Sequence, residues 1–248
     1  DGAVGGGEAN GPQNVNCRQC DKGPSVFDIR HNFSVNTVYE LPFGPGKAYL
    51  HDAGVLGKIV GGWEVSGLGI WHTGHPLTVS LSYGTSFQLP DGNDQTSQRP
   101  DIVPGVPLYL AAGSNGVPQV NPAAFQAPPL STAPNAQPGA VARFGNEGNG
   151  VLRALDIWQV DTAITKETKL TERYSLQFGA QAFNVFNHVQ LGDFSNLGFT
   201  FTQPTPGSPF VFAPVGNFGQ INSSVNGLGT NTGNGLPRQL QFMLRLKF

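Results

Sequence analysis

Charge is scarce in this chain. Only 12% of its 248 residues are Asp, Glu, Lys or Arg, and the formal net charge is −2. A nucleic-acid footprint needs clustered Lys and Arg, so that class of partner is excluded. Long apolar runs are also missing, and no stretch is long enough to cross a membrane as a helix. Barrel strands escape this exclusion, because they are only half apolar and hydropathy averages pass over them. No fixed-period repeat is present. Gly57-Lys58 runs on into Ile59, with no glycine five residues before Gly57, so there is no phosphate loop. Ser66 and Ser114 lack the paired glycines of a nucleophile elbow. His72 and His75 stand three apart, which on a strand turns them to opposite faces and prevents joint chelation. An acid/base dyad of Asp28 and Glu64 would have to form across neighbouring strands, and a charged wall explains both residues without one. The expectation is a protein that is no enzyme and needs no cofactor or metal.

Cysteine is limited to Cys17 and Cys20. Their C-x-x-C spacing suits a redox site or half a metal site. A metal site needs two more ligands, and no second cysteine pair supplies them. No βαβ pattern surrounds the pair, which weakens a thioredoxin-like reading. A small loop disulfide in an oxidising compartment is favoured. The chain opens at Asp1 with neither Met nor signal peptide, so a missing amino-terminal part is expected.

Glycine and proline are abundant instead, at 34 and 20 residues. That mix disfavours long helices and suits strands joined by extended loops. Residues 1–25 lack periodicity and read as loop. Five segments alternate with period two, near 26–42, 61–82, 152–166, 173–188 and 238–248. In the last, Leu240, Phe242, Leu244, Leu246 and Phe248 share one parity, and Gln239, Gln241, Arg245 and Lys247 the other. Met243 breaks the pattern. The apolar set also includes Phe27, Tyr39, Trp63, Trp71, Trp158, Tyr174, Phe178 and Phe186. Trp63 and Trp71 lie about 19 Å apart along a membrane normal, given about 3.4 Å per residue and a tilt near 45°. That separation fits two aromatic belts on a lipid-facing strand. Asp28, Arg30, Glu64, Gln177, Gln181 and Arg245 are then the candidates for the lumen wall. Their simplest role is to keep a polar wall solvated and cross-bonded.

Connections alternate between short and long. The long ones, 83–150 and 189–236, have little alternation and read as irregular outer loops, with a short extended piece at Phe218 to Ile221. A structureless loop of that length argues against a compact soluble domain. It is ordinary on the outer side of a transmembrane barrel, whose other side has short turns. The fold class expected is all-β: about five long antiparallel strands forming an open segment of a larger transmembrane barrel. Short turns on the periplasmic side put the carboxyl terminus in the periplasm and the long loops outside the cell.

Local phrases in order along the chain carry a resemblance. They include Phe27-Asp28-Ile29-Arg30-His31, Tyr39-Glu40-Leu41-Pro42-Phe43-Gly44, Gly61-Gly62-Trp63 and Thr73-Gly74-His75-Pro76-Leu77-Thr78. Arg99-Pro100-Asp101, Asn121-Pro122-Ala123-Ala124-Phe125, Leu170-Thr171-Glu172-Arg173, Phe183-Asn184-Val185-Phe186-Asn187-His188 and Pro237-Arg238-Gln239-Leu240-Gln241-Phe242 follow. Together they resemble the carboxyl-terminal barrel of TonB-dependent receptors of the Oar-like, acidobacterial kind. The resemblance implies a bacterial outer-membrane receptor with a barrel of about 22 strands around a plug. It implies several partners: outer-membrane lipid, the missing plug and barrel strands of the same protein, the TonB system through that missing part, and the barrel-assembly machinery. Phe242, Leu244, Leu246 and Phe248 would be the terminal signal that this machinery reads. A secreted β-sandwich binding module or adhesin is the rival from another class; it explains the strands but not the belt spacing or the aromatic end.

Overall fold

The computed structural model describes residues 12–221, apart from 15, 18, 51–53, 85, 91–97 and 113–116, and residues 237–248. The loop expectations for 1–11 and 222–236 lie outside the described residues. The chain divides into two compact units. One comprises residues 30–73, 156–191 and 224–248 and is called the sheet unit; the other comprises 1–29, 74–155 and 192–223 and is called the loop unit.

The sheet unit holds five antiparallel strands. They are β1 (Asn32–Glu40), β2 (Trp63–His72), β3 (Ile157–Lys169), β4 (Ser175–Phe183) and β5 (Gln239–Lys247). Their order in space is their order in the chain, and the sheet is not closed. Registry puts Phe33, Trp71 and Trp158 in one row, and Tyr39, Val65, Ile164, Ala180 and Phe242 in another. All of these point to one face. The opposite face carries Glu40, Glu64 and Thr165 in one row and Glu167, Gln177 and Arg245 in another.

Two glycines explain how the two faces stay even. Val35 lies over Gly69, with Cγ1 3.0 Å from where a Cβ would stand. On the polar face, Met243 Cε lies 3.2 Å from the equivalent point of Gly179, its partner in the ladder. This accounts for the residue that broke the alternation: Met243 fills the gap that Gly179 leaves.

The apolar runs are staggered between strands. Leu244 is central in the run Leu240 to Phe248, yet its row passes through Phe178 and Lys166 to Trp63, the first residue of β2. Strands tilted across a membrane need such a stagger to keep their apolar runs level.

At the end of the sheet where β1 meets β2 the connection runs over residues 41–62 and includes the helix Gly54–Val60. Lys166 projects from the apolar face but reaches back to this connection. Its Nζ donates to Lys58, Ile59 and Gly61 carbonyls at 3.1, 2.6 and 2.6 Å and lies 5.1 Å from the Trp63 ring centroid. The ammonium thus leaves the apolar surface while its stem covers it.

Several expected boundaries shift. The segment 26–42 forms strand only from Asn32, because Asp28 N closes a turn on Ser25 O at 2.8 Å. The segment 61–82 breaks after His72, and Pro76–Leu77 and Ser80–Tyr83 pair within the loop unit instead. Leu152–Arg153 likewise pairs with Pro76–Leu77, and β3 starts at Ile157. β4 stops at Phe183 because Asn184 turns to φ 48° and folds onto His188. Phe218 to Ile221 is a turn rather than an extended piece, with Phe218 N bonded to Val215 O at 3.1 Å.

The larger correction concerns the loops, which are not irregular throughout. In the loop unit, Gly198–Thr202 pairs antiparallel with Val211–Pro214 and parallel with Ser80–Tyr83. Its core is built from Val79, Leu81, Phe87, Leu89, Val120, Phe125, Leu152, Phe194, Phe199, Phe201 and Phe218. Among the described residues, every buried apolar side chain belongs to this unit, and the sheet contributes none.

Candidate functional site

The loop unit holds a polar cluster that sequence reasoning missed. Asp101 ends the Arg-Pro-Asp phrase and is 2% exposed. Arg143 grips it in a fork, Nη1 to Oδ1 at 2.7 Å and Nη2 to Oδ2 at 2.6 Å, and Asn146 N adds 2.8 Å to Oδ1. Asp101 in turn holds the Arg143 guanidinium above its ordinary pKa. Arg99 donates to Glu147 O at 3.0 Å, Cys20 O at 3.2 Å and Asp21 Oδ1 at 2.8 Å. Glu147 Oε1 accepts Val79 N at 3.0 Å. Gly145 is required here, since a Cβ on it would stand 1.9 Å from Arg99 O. A cleft of about 590 Å³ opens beside these groups, lined by residues that include Gln13, Cys20, Arg143, Phe144, Asn146 and Glu147. Cys17 and Cys20 are joined by a disulfide, and Cys20 stands in the cleft wall.

A second cluster centres on Arg153. It pairs with Asp28 Oδ2, and its Nη1 donates to Asp28 O at 2.8 Å. Tyr109 OH donates to Arg153 O at 3.0 Å and accepts from Arg153 N at 2.6 Å. Asp28 is therefore not a lumen residue of the sheet: it is held in the loop unit. Tyr109→Phe would leave both backbone groups of Arg153 without their partner. A loss of about 1–3 kcal/mol is expected in urea unfolding of the full chain; an unchanged midpoint would contradict this role for the hydroxyl. His75 sits nearby in sequence to this unit's strands and faces Asp193 at 3.3 Å, which raises its pKa.

Phe27 and Arg30 also leave the expected wall. Phe27 lies in the turn after Ser25, and Arg30 in a bend before β1. Glu64, Gln177, Gln181 and Arg245 stand on the polar face of β2, β4 and β5. Missed there were Glu167, Ser175 and Lys247: Lys247 Nζ lies 2.7 Å from Glu167 Oε2, and Ser175 Oγ donates to Oε1 at 3.0 Å. At the other end of the same face, Gln159 Nε2 and Asn184 N both donate to Asp161 Oδ1 at 2.8 Å.

On the apolar face stand Tyr39, Trp63, Trp71, Trp158 and Phe178. Tyr174 just precedes β4 and Phe186 just follows it. The Phe186 ring lies 6.1 Å from Trp158, which also stacks on His188 at 4.2 Å. Phe242, Leu244 and Leu246 are 69%, 70% and 54% exposed, and Phe248 follows the strand at 88%. The five strands thus present one uncovered apolar face, far larger than isolated surface residues would make.

Among the described residues, no three His, Cys, Asp or Glu side chains come together as a metal site. No described helix is long and apolar enough to cross a membrane, which leaves crossing by strands untouched. No curated protein and no solved structure matches the chain. A family model described as an outer membrane beta barrel domain matches residues 1–241. An open antiparallel sheet with one apolar and one polar face is what a stretch of such a wall looks like, and the chain belongs to the outer membrane β-barrel domain family.

Proposed function

We propose that the chain is the carboxyl-terminal barrel wall, outer loops and assembly strand of a TonB-dependent outer-membrane receptor of the Oar-like kind. The carrying observation is the division of apolar residues: the sheet buries none of them, while the loop unit has a core of its own. A face such as Leu240, Phe242, Leu244 and Leu246 needs an apolar solvent, and hydrocarbon chains supply it. A secreted sandwich would cover that face with a second layer, and the exposure of Phe242 and Leu244 speaks against one.

The opposite face lines the lumen through Glu64, Glu167, Gln177, Gln181 and Arg245. Short connections lie on the periplasmic side, and the loop unit stands outside the cell. Ligand uptake then requires the plug and the TonB-contacting segment. The reading frame upstream of Asp1 is expected to encode a plug; a frame without one contradicts the receptor assignment. Phe248 closes the strand that the barrel-assembly machinery reads. Deleting Phe248 from the full-length protein is expected to lower the amount inserted in the outer membrane severalfold; unchanged insertion removes this role.

A further inference from the structure

Glu147 occupies a place that an ionised carboxylate tolerates poorly. The residue is 2% exposed. Its Oε1 has the Val79 amide, but Oε2 is shut off from water without a hydrogen-bond partner. Arg99 is the cation that acts on it, yet Arg99 donates to the Glu147 main-chain carbonyl, to Cys20 O and to Asp21, not to the carboxylate.

The surroundings make the shortage worse. Gln13 Oε1, Gln98 Oε1 and Asp21 Oδ2 are also buried without donors. Their residues are tied together: Gln98 Nε2 to Gln13 O at 3.3 Å, Gln13 Nε2 to Gly145 O at 2.9 Å, and Gln13 N to Asp21 Oδ1 at 3.2 Å. The cluster has a surplus of acceptors. Asp21 is matched by Arg99 and Asp101 by Arg143, so in this cluster Glu147 is the carboxyl without a cation of its own. A proton on Oε2 removes the desolvated charge and turns one orphaned acceptor into a donor.

We propose that Glu147 is a proton-operated latch. As a neutral acid it is tolerated in the closed seam where Gln13 Nε2 holds Gly145 O and Arg99 ties Cys20 and Asp21 to Glu147 O, and opening, which lets its proton go, frees that segment and reshapes the cleft beside it. The proposal does not rest on ligand uptake.

Burial pushes the carboxyl up to about 8 from 4.5, against the opposing pull of Val79 N–H and Arg99. The open form ionises at the ordinary value, while the closed form keeps its proton until about 8. Opening therefore releases a proton between those limits. It grows by about tenfold per pH unit in that window and levels off above it.

The test is hydrogen exchange of the full chain in detergent, comparing wild type with Glu147→Gln. Glutamine keeps the acceptor for Val79, provides an N–H donor and never ionises. The expected ratio of wild-type to variant exchange, in peptides holding Gln13 to Asp21 and Gly145 to Glu147, rises with pH about tenfold per unit and then flattens near 8. A ratio constant over that range overturns the proposal. Should Glu147→Gln fail to fold, infrared titration of the wild type decides. A protonated carboxyl band persisting to about pH 8 is expected; its disappearance in the ordinary carboxylate range overturns the latch.

Discussion

Leu244→Arg is expected to destabilise the protein by about 2–4 kcal/mol in a bilayer, the range for an arginine at mid-depth on the lipid face of a barrel. Leu244 is 70% exposed, so in water the same substitution would touch almost nothing and cost close to zero. The medium decides the size of the effect. Gln241→Arg, three residues away on the polar face, serves as control and is expected to change little. Both variants are read by reversible urea unfolding in lipid vesicles. The position follows from the stagger: Leu244 is central in its own apolar run although its row ends at Trp63. Equal, small losses for the two arginines would mean that hydrocarbon does not touch this face.

Phe199→Ala is expected to cost about 3–5 kcal/mol, the range for removing a buried phenylalanine. Phe199 is 2% exposed. Its ring lies 4.5 Å from Phe212, 4.6 Å from Phe218 and 5.7 Å from Phe125. Phe125, far back in the chain, thus meets Phe212 and Phe218 on this one ring. The effect should stay local. All three tryptophans, Trp63, Trp71 and Trp158, belong to the sheet unit. Tryptophan fluorescence is therefore expected to report an unchanged sheet, while hydrogen exchange accelerates through 79–89, 120–125 and 194–218. A shift of the tryptophan transition by the same amount would show that the loop core and the sheet do not unfold separately.

The long strands were legible because period two survives in a half-apolar sheet, and β5 states it in nine residues. Met243 alone escaped, since its reason, Gly179, lies on another strand. Parity also carried β1 too far. Phe27, Asp28 and Arg30 keep the alternation, but a turn at Ser25 and the grip of Arg153 on Asp28 are not periodic features. The loop unit was illegible for a related cause. Its phenylalanines follow no single period, and its core forms from pairings such as Ser80–Tyr83 with Gly198–Thr202, more than a hundred residues apart. The polar cluster is equally non-local, with Gln13, Arg99 and Glu147 brought together only by the fold. What sequence did offer was the Arg99-Pro100-Asp101 phrase, whose two charged residues anchor separate ion pairs with Asp21 and Arg143.

The most direct measurement is a nitroxide scan along β5, one label at a time from Gln239 to Lys247, in the full-length protein reconstituted in lipid vesicles. Cys17 and Cys20 are joined to each other, so they do not compete with introduced cysteines for the label. Accessibility to oxygen from the bilayer should peak at 240, 242, 244 and 246, while a water-soluble relaxation agent should reach 239, 241, 245 and 247. A profile without this two-residue period, or one with the two sets exchanged, would contradict a wall whose apolar side rests in hydrocarbon.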